Sequence, residues 1–238
     1  MLEIFLAQMQ QDCASQIVAE TQALDIQAAG NGQTLFRLFQ QISGGDAEAC
    51  AAAYVGVLAS SIDRRTPRDV TSAFMAAAIR LPPARRDDLA QTVAEAWTHI
   101  RYDEAVAKTY FEFAGLYRLA VPPEVDARYA AAPVSKHTDP AFAHRRYLLL
   151  VGDPHVEAEM EAILARASQD VDMLMGLVSG LVDTGLALRR EGRDARSVRD
   201  LLEPFRQDDR RATGVNGPGS GGSISGLVTP ALTILSPR

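Results

Sequence analysis

Four histidines carry most of the chemistry that residue type alone offers this chain. His99 follows Glu95 by four residues and His155 precedes Glu159 by four. Partners at that spacing share a helical face, so either pair supplies two ligands to a metal. His137, Asp139, His144, Asp153 and His155 also fall close together, which would build a metal site from a loop and its following helix. Spacing supplies no third and fourth ligand, and the Glu-x-x-His pairs of di-iron bundles do not occur. Surface and helix-capping histidines are the simpler account. The expectation is no metal site and no cofactor.

Nucleophile and phosphate signatures are equally sparse. Cys13 and Cys50 lack CxxC spacing and each falls on the apolar side of a helical pattern. That predicts buried free thiols in a reducing compartment. The stretch Gly214 to Gly222 is glycine-rich, but no strand pattern precedes it and no Gly-Lys-Ser/Thr follows, so it is no phosphate-cradling loop. No Gly-x-Ser-x-Gly elbow occurs. The run Leu181, Val182, Asp183, Thr184, Gly185 resembles the active-site motif of retroviral-type aspartic proteases. That family holds its aspartate on a loop of a small all-β dimer. Here the run lies in helix-patterned sequence, and Leu186 stands where the family carries alanine or serine. No catalytic residue is assigned, and the chain is expected not to be an enzyme.

The elements that must position any site read as helices throughout. Leu2, Phe5, Leu6, Met9, Cys13, Ile17 and Leu24 share one helical face, with Asn31-Gly32 as a stop. A short helix carries Leu35 to Ile42, and Asp46 is placed to cap a helix over Ala47 to Ser60. Prolines at 67, 83, 123, 140 and 154 mark helix starts, where the missing N–H costs little. No alternating strand pattern is present. These signals predict an all-α, irregular multi-helix bundle of about nine or ten helices, in preference to a HEAT-like repeat.

Two segments stand out by composition. Tyr102, Val106, Tyr110, Phe113 and Tyr117 form an aromatic stripe, read as core, with a ligand-lining wall as the alternative. Val171 to Leu188 is apolar nearly all round, with Gly176 and Gly180 one turn apart. A helix of that kind is surrounded, by its own core or by a second subunit. Beyond it Val198, Leu201, Leu202 and Phe205 make a stripe on a mixed-charge segment, which is a solvated or partner-facing helix.

The tail suggests assembly. The expected organisation is a helical body over residues 1–211, a flexible Gly/Ser linker over 212–223 and an apolar docking arm over 224–238. Pro230 argues for an extended arm. Its contacts to another protein chain are expected from Ile224, Leu227, Val228, Pro230, Leu232, Ile234 and Leu235; Gly176, Gly180, Val198, Leu201, Leu202 and Phe205 are expected at helix packing or subunit contacts, in a possible homo-oligomer. The net charge of -6 and a pI near 5.3 argue against nucleic acid as a partner. No stretch reads as a membrane span and no signal peptide is visible, which predicts a cytoplasmic protein or one within a cytoplasmically assembled particle. The leading expectation is a non-enzymatic adaptor or structural subunit of a larger assembly. The alternative is a helical ligand-binding regulator, or a small helical enzyme, with an aromatic-lined pocket that uses His99 or His144 as a polar contact.

Overall fold

The computed structural model describes residues 17, 19–42, 46–215 and 217–236. It is mostly helical, 68%, with no strands among the described residues. The all-α expectation holds. Twelve helices are present among the described residues, against the nine or ten expected. The chain divides into two compact units, residues 1–113 and 114–238, each with its own core.

The first unit contains α1 (Asn31–Gln41), α2 (Ala47–Ser61), α3 (Arg68–Ile79), α4 (Pro83–Trp97), a 3-10 turn (Glu104–Val106) and most of α5 (Ala107–Leu116). A further helical turn at residues 19–23 precedes them; most of the helix expected over Leu2 to Ala28 lies outside the described residues. Helix α1 packs on α3, and α2 packs on both α3 and α4. Asn31-Gly32 does not stop a helix, as the sequence suggested, but opens α1. Gly30, left-handed at φ 96°, is the N-cap residue of α1, and one Asp69 carboxylate oxygen accepts the Gly30 and Gly32 N–H groups at 2.9 Å each. Tyr54, Val55, Leu58, Phe74, Tyr110, Phe111 and Phe113 are fully enclosed. Rings of Trp97 and Tyr110 lie 4.6 Å apart, and those of Phe74 and Phe113 5.6 Å. Of the aromatic stripe, Tyr110 and Phe113 are core, while Tyr102, Val106 and Tyr117 are half-buried.

Cys50 is buried and disulfide-bonded, so the expected free thiol is corrected. The chain's other cysteine, Cys13, lies outside the described residues.

The second unit contains α6 (Pro123–Ala130), α7 (Pro140–Val151), α8 (Val156–Ala167), α9 (Val171–Arg190), α10 (Arg196–Leu202), a 3-10 turn (Glu203–Phe205) and α11 (Ile224–Leu235). Helix α9 is central and packs on α7, α8, α10 and α11. By length and composition it could cross a membrane, contrary to the sequence expectation. Ten of its residues are buried within the unit, however, and a core helix passes the same test. Its glycines admit neighbours closely. A Cβ on Gly180 would lie 2.6 Å from the Phe142 ring, one on Gly176 2.2 Å from His137, and one on Gly185 2.8 Å from Leu235. Val198, Leu201 and Leu202 are buried on α10, and Phe205 is half-buried.

The arm is not extended. Residues 224–235 form helix α11, with Pro230 inside it, packed on α9 and α10 of its own unit. Ser223 caps it through a bond from the Gly226 N–H at 3.1 Å. Ile224, Val228, Ala231, Leu232 and Leu235 are buried, a helical i, i+4, i+7, i+8, i+11 pattern. An interior proline costs about 3 kcal/mol. Full burial of each Leu, Ile or Val side chain returns roughly 1.5–3 kcal/mol, so burial wins. Nor is the Gly/Ser segment a bare leash. Ala212 and Gly221–Gly222 exchange backbone bonds, and Asp172 receives both the N–H and the hydroxyl of Thr213 at 2.6 Å.

Candidate functional site: an arginine-lined cavity in the first unit

A cavity of about 290 Å³ opens in the first unit. Its lining begins with a tied loop between α2 and α3. The Asp63 carboxylate accepts the Arg65 N–H at 2.7 Å and the Arg65 guanidinium at 2.9 Å; those bonds hold the Asp63 carboxyl below the usual carboxylate range. The Asp63 N–H in turn donates to Thr66 Oγ1 at 2.9 Å. A short polar loop folds this way because Asp and Thr side chains satisfy backbone groups that a helix would otherwise take. The result fixes Arg64 and Thr66 at the cavity. Pro67, expected at the first helical position, stands instead as the N-cap residue of α3.

Helix α3 presents Arg68, Thr71, Ser72 and Met75 along one side of the cavity, and the segment after α4 closes it with His99, Arg101, Tyr102, Asp103 and Val106. Three guanidinium groups thus meet one carboxylate in a chain whose net charge is -6. Arg68 and Asp103 pair at 3.3 Å, while Arg64 and Arg101 form no ion pair among the described residues. The donors are available. Thr66 Oγ1 accepts from Asp63 and from Gln27 Nε2 at 3.3 Å, which leaves its own O–H to donate. His99 Nδ1 is buried with no hydrogen-bond partner among the described residues. Met75, Val106 and the Tyr102 ring give the cavity an apolar side. Guanidinium forks, a hydroxyl donor and an aromatic wall are the groups that hold a phosphate or carboxylate on an organic body.

The second unit has a larger cavity, about 600 Å³, bordered by Arg118, Tyr147, Leu188, Arg193 and Asp194. Three of its polar groups serve the fold. Tyr147 donates to the Leu119 carbonyl at 3.2 Å, Arg193 to the Gly115 carbonyl at 3.3 Å, and Asp194 pairs with Arg196 at 2.6 Å.

The residues singled out by sequence are dispersed. His144 is wholly buried with Nε2 2.8 Å from Asp126. Burial pushes its pKa below the usual histidine value, although the Asp126 hydrogen bond pulls the other way. Arg145 beside it closes the end of α6 through the carbonyls of Tyr129, Ala130 and Ala132 and pairs with Glu159 at 2.6 Å. Asp139 receives Ser135 and Lys136 at 2.8 Å, and Asp153 receives the His155 N–H. No group of three His, Cys, Asp or Glu side chains suited to a metal occurs among the described residues. Asp183 is exposed on α9, and Thr184 bonds the Gly180 carbonyl and Arg146, so the protease-like run is an ordinary helical stretch.

Of the arm residues, Ile224, Val228, Leu232 and Leu235 face inward, Leu227 is half-buried, and Pro230 and Ile234 are exposed. Sequence reasoning named His99 and Tyr102 but missed Arg64, Thr66, Arg68 and Arg101. The only available signal was three arginines around Thr66-Pro67 and a fourth beside Tyr102.

Comparison of this chain with family models, with curated proteins and with solved structures finds no match.

Proposed function

We propose that the chain is a non-enzymatic, ligand-binding helical protein whose first unit takes up a small organic anion with a phosphate or carboxylate head. One observation carries this reading: Arg64, Arg68, Arg101, His99 and Thr66 converge on a cavity that also has an apolar wall. The volume, about 290 Å³, sits at the small end of ligand pockets. It suits a compact metabolite and not a polymer.

The chain's single tryptophan gives the test. Trp97 stacks on Tyr110, whose ring is 5.1 Å from that of Tyr102. Titration with phenyl phosphate and with succinate should change its emission saturably. The double variant Arg64→Gln, Arg101→Gln should weaken binding by roughly tenfold or more, as loss of charge-assisted hydrogen bonds predicts. Equal response of native and variant chains would refute the assignment.

A second reading, the subunit of a larger assembly, keeps one supporting observation. Leu227, Pro230 and Ile234 remain on the outer side of α11, with Ile234 53% exposed. In that reading the partner, another copy or another protein, meets the outer side of a folded helix instead of capturing an extended arm. The disulfide at Cys50 favours an oxidising compartment over the expected cytoplasm.

A further inference from the structure

We infer that Asp103 is a built-in competitor for the anion, and that it sets the preferred ligand charge at two. This rests on the reading of the cavity as an anion site. Asp103 uses its two oxygens differently. Oδ1 accepts the Ala105 N–H at 2.8 Å and caps the 3-10 turn. Oδ2 takes Arg68 at 3.3 Å, in the same cavity that Arg64 and Arg101 border. One arginine of the three is therefore already occupied by an internal carboxylate.

That pairing is easy to exchange. The Arg68 side chain is 65% exposed and the Asp103 side chain 32%, and ion pairs of this kind contribute little. An incoming anion offers Arg68 a second carboxylate-like partner, and a phosphate or carboxylate can engage the guanidinium through two parallel bonds. The carboxylate left behind repels the ligand within a cavity of about 290 Å³. Three positive charges against one negative leave two to be matched. A phosphate monoester carries about -1.5 to -2 at neutral pH, so it fits the native site, whereas a more highly charged anion meets Asp103 at a disadvantage. With an amide at this position the lining carries three charges, and a more highly charged anion gains most.

The experiment is calorimetric titration of the full chain with phenyl phosphate and with pyrophosphate. Asp103→Asn retains an oxygen for the Ala105 N–H and removes only the charge. It should bind phenyl phosphate roughly three- to tenfold more tightly, with a larger gain for pyrophosphate. In an Arg68→Gln background the gain should shrink, because the pair no longer exists to be broken; a purely structural role for Asp103 would not produce that coupling. Asp103→Ser, which keeps a capping oxygen, is the second variant should the first fold poorly. Native binding with unchanged or weaker affinity in both Asp103 variants overturns the competitor role and leaves the anion site standing. No binding of either probe by native or variant chains overturns both.

Discussion

At the scale of single residues, charge has been taken out of water in unit 2 only where geometry compensates. His144 is enclosed beside Asp126, with Arg145, Glu159, Tyr129 and Tyr147 around it. Burial lowers its pKa in the folded chain. Between that lowered value and the unfolded value, about 6.5, the unfolded chain binds more protons than the folded one. Stability contributed by the neutral imidazole is thus complete above about pH 7. It declines as pH falls through about 6.5 toward the folded value, after which this group adds no further slope. Urea midpoints from pH 8 to 5 should show that decline. His144→Asn should be less stable at every pH yet lack the slope between about 7 and 6. The same slope in the variant would assign it to another group. The carboxylates Asp69 and Asp139 also lose stability as pH falls, but for a different cause and at lower pH. Burial raises each, but hydrogen bonds, from Gly32 and Gly30 in one case and from Ser135 and Lys136 in the other, outweigh it and hold both low. Their contributions stand above about pH 4 and vanish only in acid.

At the scale of elements, sequence and structure agree where the signal is periodic or punctuated, and part where packing overrides local preference. The prolines at 83, 123 and 140 do stand at the first helical positions. The all-round apolar pattern of Val171 to Leu188 did mark a surrounded helix. Of the aromatic stripe, Tyr110 and Phe113 were legible as core, whereas Tyr102 and Val106 line the cavity, as the ligand-wall alternative has it. The arm was not, because Pro230 and the glycines argue locally for an extended chain, and the inward spacing of Ile224, Val228, Leu232 and Leu235 matters only once α9 and α10 are there to receive it. The cavity was least legible. Arg64, Arg68 and Arg101 come together through a tied loop and the end of a helix, and neither leaves a periodic trace. The misread proline provides the check. Pro230 is exposed and lies mid-helix, so it removes a backbone bond without contributing burial. Pro230→Ala should stabilise the second unit by roughly 1–3 kcal/mol, measured by chemical denaturation. A loss of stability would mean that the proline is holding α11 in place through its ring.

At the scale of the whole molecule the question is whether the chain acts alone. Its 25.7 kDa carries a net charge of -6, which opposes close approach of two copies at low salt. Large exposed apolar side chains among the described residues are Val151, Val215 and Ile234, on α7, the Gly/Ser segment and α11. With half-buried Leu227 and exposed Pro230, Ile234 makes a patch of three side chains. A specific, stable interface removes about 800 Å² per partner, several times what three partly covered side chains provide. Apolar attraction at about 25 cal/mol per Å² over so small an area does not offset the several kcal/mol lost in association. These three apolar side chains on the outer side of α11 are by themselves too few to hold two copies together. Sedimentation at micromolar concentration should give the monomer mass, and Ile234→Asp should change neither mass nor melting temperature by more than an exposed substitution does, within about 0.5 kcal/mol. A stable oligomer that Ile234→Asp dissociates, with the fold intact, would reverse the ranking and make subunit assembly the better account. An oligomer that survives that substitution would refute the monomer and place the contact elsewhere in the chain.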